Sequence, residues 1–220
     1  MGKEISFNRI VLENGVTVIH EQRNIPVVSV ATSVKTGAQY EIMSQKGISH
    51  FIEHLVFKGT HKRKVDEIPR EIESKGGIIN AFTAEEITCF WNKLPSRYFK
   101  LGADISRDLV THPLFENKAL ERERKVILEE IRMYNDNPSS HVLENIKRLL
   151  YKKPFGSSIA GTIETVSSLS REQIISHHKK MYASNNIIFS VVGDISFKEV
   201  IVEAKKFPRH QSFLSSPFFC

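Results

Sequence analysis

The pentapeptide His50-Phe51-Ile52-Glu53-His54 constrains the fold more than any other stretch of this chain. Residues at i and i+4 share one face of a helix, so both imidazoles can reach a single ion. The flanking residues are apolar, and a helix that is apolar on its remaining sides is a buried helix. Because unpaired buried charge is costly, the segment predicts either a metal site or two core histidines bonded to backbone carbonyls.

Composition excludes several classes of function. The 220 residues carry a formal net charge of +6, but the lysines and arginines are interspersed with acids. The sequence contains no basic block with interleaved aromatic residues, so nucleic-acid binding is not indicated. Cys89 and Cys220 are too few and too far apart for a disulfide framework, which favours a reducing compartment. No apolar run has the length of a signal core or a membrane span. We therefore expect a soluble, cytoplasmic protein with no membrane partner.

The apolar pattern predicts an α+β fold with a mostly antiparallel sheet packed on helices. Asn14-Gly15 between two alternating runs is a strong hairpin signal. We expect strands at 7–13, 16–20, 27–34, 78–83, 87–94 and 187–192. Besides the motif helix, capped by Ser44 or Ser49, we expect helices at 66–75, 98–110, 116–135, 142–151, 170–181 and 197–206. Residues 1–208 are predicted to form one module, and 209–220 an irregular tail.

The acids of the long predicted helix at 116–135 can be sorted by angle, since successive residues step by about 100°. Glu123 and Glu130 fall within the arc of the apolar side chains, whereas Glu121 and Glu129 fall outside it. The apolar members of that arc are Val126, Ile127, Ile131, Met133 and Tyr134. Two carboxylates are therefore expected to point towards the core.

Two explanations remain for these inward carboxylates. On this helix alone, ion pairs with arginines such as Arg122 or Arg124 are the simpler account. Taken together with two buried histidines elsewhere in the chain, a shared metal ion is the more economical one.

The order His50-x-x-Glu53-His54 is that of a known inverted zinc-peptidase motif, and Glu130 follows 76 positions after His54. With Gly76-Gly77, Asn80-Ala81-Phe82-Thr83 and Val191-Val192-Gly193-Asp194, it resembles the pitrilysin family of zinc peptidases. That family contains insulin-degrading enzyme and mitochondrial processing peptidase. The resemblance extends to about residue 208 and implies one zinc-bearing module of the processing-peptidase-like metallohydrolase fold.

The resemblance implies a role for each matching side chain. His50, His54 and Glu130 would bind one Zn²⁺ per chain. Glu53 would be the general base that takes a proton from zinc-bound water and passes it to the leaving amine. Glu123 would be a second catalytic carboxylate, held behind the site. Three protein ligands leave a position open for water, as in other catalytic zinc sites.

The predicted strand at 78–83 matches the edge on which substrates of the family lie. An extended peptide would add there by main-chain hydrogen bonds, along Asn80, Ala81, Phe82 and Thr83. The alternative is an ordinary sheet strand in which Asn80 ends a turn.

The resulting hypothesis is a zinc-dependent endopeptidase that hydrolyses extended or unfolded peptides. Family enzymes contain two or four such modules, so this chain is expected to need a zinc-less homologous subunit or self-association for full activity. The alternative is a non-catalytic partner subunit or scaffold of a larger assembly. A purely structural zinc site is disfavoured, because it has no use for Glu53 and usually takes four protein ligands.

Overall fold

The computed structural model describes residues 7–152 and 154–210. Most of the predicted tail, residues 211–220, lies outside the described residues. Within them, no helix combines the length and the apolar character needed to cross a membrane.

The described residues form one six-stranded sheet in the order β1-β2-β6-β3-β5-β4. The strands are β1 Phe7–Val11, β2 Thr17–Gln22, β3 Val27–Val34, β4 Ile78–Thr83, β5 Thr88–Pro95 and β6 Ile187–Gly193. Neighbouring strands are antiparallel except for β2 and β6, which run parallel. The predicted α+β class with a largely antiparallel sheet is confirmed.

The helices of the described chain follow the predicted order. They are α1 Ile48–Val56, α2 Glu67–Glu73, α3 Phe99–Thr111, α4 Asn117–Asp136, α5 Pro138–Leu150, α6 Ile163–Ser168, α7 Arg171–Met181 and α8 Phe197–Ala204. The short helix α6 was not predicted. Helix α5 begins four residues before its predicted start, because Asn137 caps it and Pro138 occupies its first turn, where a missing N–H costs nothing.

One face of the sheet is buried against the helices. Along β3, the side chains of Val28, Val30, Thr32 and Val34 are buried, and those that alternate with them are partly exposed. Helix α3 packs on β3 and β5, while α1 lies between the β4–β5 edge of the sheet and α4. Burying each large apolar side chain of α1 contributes about 1.5–3 kcal/mol, so the position of this helix is strongly fixed.

The N-terminus of α1 is capped from outside the helix. The predicted capping by Ser44 or Ser49 is wrong: Gly47 is the N-cap, with a φ of 91°, and no side chain at that position caps it. Instead, the buried carboxylate of Glu41 accepts hydrogen bonds from the backbone N–H groups of Gly47 at 2.9 Å and Ser49 at 2.8 Å. A β-carbon at Gly47 would lie 2.5 Å from the carbonyl oxygen of Ala160, so the turn requires glycine.

Candidate metal centre

Two distant helices bring three candidate ligands together. His50 and His54 lie on the buried helix α1, and Glu130 lies on α4. The Nε2 atoms of His50 and His54 lie 3.8 and 3.6 Å from Glu130 Oε2. One candidate ligand atom from each residue lies within 4.8 Å of the other two. Among the described residues neither imidazole bonds to a backbone carbonyl, so the alternative of two carbonyl-bonded core histidines does not hold.

The arrangement fits a zinc ion. Tetrahedral zinc with bonds of about 2.0–2.2 Å places its ligand atoms roughly 3.3–3.6 Å apart, close to the separations between the Nε2 atoms and Glu130. Burial, with a smaller contribution from neighbouring His54, lowers the pKa of His50 to about 4. Its imidazole is therefore neutral near pH 7, which is the form that binds metals. The Nδ1 atom of His50 is buried and has no hydrogen-bond partner among the described residues.

Glu123 lies behind the three ligands and contacts one of them. Its side chain is 8% exposed, and its Oε2 atom lies 3.3 Å from Nδ1 of His54. Its other oxygen, Oε1, lies 3.0 Å from Nζ of Lys58. The alternative pairing of Glu123 with Arg122 or Arg124 does not occur in the described structure. Glu123 therefore holds the ring of His54 from the side opposite Glu130, in the manner of a carboxylate that orients a metal-binding histidine.

The buried stripe of α4 is narrower than the predicted arc. Val126, Met133 and Tyr134 are exposed, so their predicted burial is wrong. The helix packs on α1 and α6 through a line spaced mainly by four residues: Ala119, Leu120, Glu123, Ile127 and Ile131. A single line of contacts covers less of the helix than an arc drawn from hydrophobicity alone, and the apolar residues beside it stay in solvent.

The carboxylate of Glu53 projects from α1 towards strand β4. The hydroxyl of Thr83 donates a hydrogen bond to Glu53 Oε2 at 2.6 Å. Burial raises the pKa of Glu53; the bond from Thr83 and the nearby His54 oppose this effect, and Glu130 adds to it. Glu53 is thus a partly desolvated carboxylate with one oxygen held by Thr83.

The predicted substrate strand is the last strand of the sheet. Its outer edge has no strand partner within the described residues, because β4 pairs with β5 alone. Asn80 and Phe82 are exposed, whereas Ala81 and Thr83 are partly buried on the alternate face. The chain therefore has an open strand edge beside Glu53, and Thr83 belongs to both.

Two contacts of this region were not expected from the sequence. The sequence indicated only indirectly that Lys58 would pair with Glu123: a buried carboxylate requires a cation nearby, but the pattern does not say which one. The role of Glu41 in capping α1 had no sequence signal, because Glu41 lies six residues before the N-cap Gly47 and no short capping motif has that spacing. Both depend on how loops fold back in three dimensions.

The fold is shared with known peptidases. A protease structure from Helicobacter pylori superposes with a TM-score of 0.89 at 23% identity, over 98% of this chain and 54% of that one. The family model described as "Insulinase (Peptidase family M16)" matches residues 16–163. The chain belongs to this family, which confirms the resemblance drawn from the motifs.

Known relatives are longer than this chain. A protein described as an uncharacterized zinc protease from Rickettsia bellii is 34% identical over 205 residues, covering 91% of this chain and 49% of the relative. The chain thus spans about half the length of the relatives it matches. A structure described as a peptidase M16 inactive domain, from Pseudomonas fluorescens, has a TM-score of 0.86 at 16% identity, over 96% of this chain and 53% of that one. The same fold thus occurs in a protein described as a protease and in one described as an inactive domain.

Proposed function

We propose that this chain is the zinc-bearing module of an endopeptidase that hydrolyses extended peptides. The observation that carries the proposal is the meeting of His50 and His54 with Glu130, with the Glu53 carboxylate on the same helix as the two histidines. A module that only binds its partner would have no need of a carboxylate such as Glu53 beside the metal ligands. A structural metal site also usually has four protein ligands, whereas three candidate ligands meet here.

The proposed chemistry divides between the ion and the chain. His50, His54 and Glu130 would hold the zinc, which when bound lowers the pKa of water to about 7 and polarises a carbonyl group. Thr83 holds Oε2 of Glu53 and thereby aims the other oxygen. That oxygen takes the proton of the attacking water and passes it to the leaving amine. The raised pKa of Glu53 favours this exchange, because the protonated carboxyl becomes more accessible.

The open edge of β4 would bind the substrate. An extended peptide can add as a further strand through main-chain hydrogen bonds, which depend little on side-chain identity. Thr83 terminates this edge and touches Glu53, so a peptide aligned on β4 would run towards the general base. This favours extended or unfolded peptides over folded proteins.

Full activity is proposed to require a second homologous module, supplied by a zinc-less subunit or by self-association. The chain covers 49% of its Rickettsia relative and 54% of the Helicobacter protease. The second candidate function is a non-catalytic partner subunit, favoured by the inactive domain from Pseudomonas, which shares the fold. The residues His50, His54, Glu130 and Glu53 favour the catalytic reading, because a partner that only completes an assembly does not need them.

Metal analysis of the purified chain, together with cleavage of an extended fluorogenic peptide, tests the proposal. We expect about one zinc per chain. Glu130→Gln should weaken zinc binding on the order of 100-fold or more, because it removes a ligand. Glu129→Gln is the matched control: its side chain is 70% exposed, pairs with Arg132 and should leave zinc binding unchanged.

Cleavage should be measured with the chain alone and with a zinc-less homologous subunit. Zinc binding without cleavage in either setting would favour the partner-subunit function. Equal zinc affinity of the Glu129→Gln and Glu130→Gln variants would refute the proposed ligand set.

A further inference from the structure

A chain of polar contacts runs from the loop after α1 to the candidate metal centre. Lys58 Nζ lies 3.0 Å from Glu123 Oε1, and Glu123 Oε2 lies 3.3 Å from Nδ1 of His54. The other ring nitrogen of His54 lies 3.6 Å from Glu130 Oε2. We propose that Lys58 is a positioning residue that sets the orientation of His54 through Glu123. The inference rests on the proposed metal centre and assigns part of its affinity to a residue outside it.

The hydrogen-bond chemistry of the contacts fixes the direction of this chain. An ionised carboxylate only accepts hydrogen bonds, so Nδ1 of His54 must donate to Glu123. The Nε2 atom then carries the lone pair and faces Glu130, as metal binding requires. Because Lys58 holds one oxygen of Glu123, the other oxygen is kept in place for His54. Without Lys58, the carboxylate could rotate and the histidine would lose its fixed orientation.

Burial makes Lys58 important to Glu123. The side chain of Glu123 is 8% exposed, and a buried carboxylate that loses its ion-pair partner is strongly destabilised. In the described parts of the chain, Lys58 is the only lysine or arginine whose nitrogen lies within 4.0 Å of this carboxylate. Its position follows from the fold: the backbone N–H of Lys58 bonds to the carbonyl of Leu55, which turns the chain at the end of α1.

Lys58 and Glu123 also line a pocket of about 730 Å³, whose walls include none of the three candidate ligands. The ion pair therefore borders this pocket on the Nδ1 side of His54, while Nε2 of His54 faces Glu130 on the other side of the ring. Lys62 lines the same pocket, is 56% exposed and lies 3.5 Å from Asp104 rather than near Glu123. It offers a matched control with the same charge.

The direction in which zinc affinity changes when Lys58 is removed distinguishes a positioning role from simple electrostatic repulsion. A positive charge near the site repels a cation, so removing Lys58 should strengthen zinc binding if Coulomb repulsion is its only influence. A positioning role predicts the opposite, because the loss of orientation at His54 outweighs the loss of repulsion. The direction of the change in zinc affinity therefore decides between the two.

The test is the zinc dissociation constant of the full chain, measured by competition with a chromophoric chelator. Removal of a group that touches a metal ligand costs about 10–100-fold in affinity, so we expect that range for Glu123→Gln and about 3–10-fold for Lys58→Met, one contact further away. Lys58→Arg should restore most of the affinity. Lys62→Met should leave it unchanged or slightly strengthened. Unchanged or tighter zinc binding by Lys58→Met would overturn the proposal.

Two further measurements distinguish positioning from general structural damage. In zinc-free protein, the ¹⁵N shifts of the His54 ring should report a protonated Nδ1 in the unaltered chain and a mixture of tautomers in Lys58→Met, at a temperature where circular dichroism shows that both chains are folded. In a double-mutant cycle, Lys58→Met should cost nothing further once Glu123→Gln is present.

The two proposals fail in different ways. Additive losses in the double-mutant cycle, or an unaltered His54 ring, would overturn the role of Lys58 alone. Failure of the unaltered chain to bind zinc would overturn this role together with the proposed function.

Discussion

Helices α1 and α5 are both amphipathic, yet the apolar face of α1 is buried and that of α5 is exposed. Of the nine residues of α1, six are buried, and the helix is closed in by the sheet and α4. None of the thirteen residues of α5 is buried, and its apolar side chains, Val142, Leu143, Ile146, Leu149 and Leu150, are exposed. An apolar stripe thus predicts that a helix forms but does not determine whether this chain covers it.

The contrast locates function in the molecule. The candidate ligands and Glu53 lie in the closed region, where packing holds side chains in one geometry and excludes water from charged groups. The open region around α5 instead exposes large apolar side chains on one helix, in a chain that spans about half the length of its relatives. The proposed chemistry therefore belongs to the closed region alone, and the same substitution made in each helix tests this difference.

The largest difference is expected for a glutamate-to-glutamine change in the two helices. Glu53→Gln on α1 should retain zinc and lower the rate of peptide cleavage on the order of 10²–10⁴-fold, because the general base is lost. Glu144→Gln on α5 alters an exposed carboxylate bonded to Ser158 and should leave the rate unchanged. Steady-state cleavage with zinc content measured in parallel checks both. Preserved cleavage by Glu53→Gln would remove the mechanism.

A leucine-to-alanine change should lower the free energy of unfolding much more in α1 than in α5. Leu55 is 1% exposed and Leu149 is 83% exposed. Leu55→Ala should lower the free energy of unfolding by about 2–5 kcal/mol, through lost burial and the cavity left behind. Leu149→Ala should change it by less than about 0.5 kcal/mol. Urea denaturation of the zinc-free chain measures both, and similar losses would mean that the α5 face is packed in solution, which would break the comparison.

Removal of the Thr83 hydroxyl tests how much the rate of cleavage depends on the hydrogen bond from Thr83 to Glu53. A hydrogen bond to a charged group contributes about 1.5–3 kcal/mol, so Thr83→Val should lower kcat roughly 10-fold or more, with zinc binding retained. Thr83→Ser keeps the hydroxyl and should recover most of the rate. A change in KM alone, with kcat intact in both variants, would instead assign Thr83 to the peptide-binding edge.

Acid stability is expected to depend on α7, which packs on α1. The pKa values of His177 and His178 are both lowered to about 4, mainly by burial. The charge of Lys180 also lowers the pKa of His177, and His177 also lowers the pKa of His178. Both rings are therefore neutral in the folded chain, with Nε2 of His178 donating to the carbonyl of Val110 at 3.0 Å. The unfolded chain binds protons more readily, so stability should be full above the ordinary histidine pKa of about 6.5 and fall as the pH drops towards 4.

Urea denaturation of zinc-free protein at several pH values between 7.5 and 4.5 measures this dependence. The variant His178→Gln should show a shallower decline than the unaltered chain, since one of the two groups is gone. A stability that stays flat over this interval would contradict the expected neutrality of the two histidines.

Much of the architecture could be predicted, because it depends on local patterns. Alternating strands, turn glycines and helix caps act over a few residues, so the Asn14-Gly15 hairpin and the Ser170 cap of α7 follow from neighbours in the chain. Helix α6 was missed because six residues carry too little periodicity to stand out. The arc of α4 was drawn too wide because hydrophobicity does not reveal how large a partner surface the fold offers.

The sequence by itself determined most of the secondary structure, the buried helix with its two imidazoles on one face, and the pair of glutamates that share a face of α4. These follow from the 3.6-residue period of a helix, a property of the local backbone. Only the tertiary structure decided that Glu130 meets both imidazoles, that Lys58 reaches Glu123, that Thr83 holds Glu53 and that α5 stays open. Each of these contacts joins residues that lie far apart in the chain or in a loop that folds back, and their distances are set by the packing of α1 between the sheet and α4.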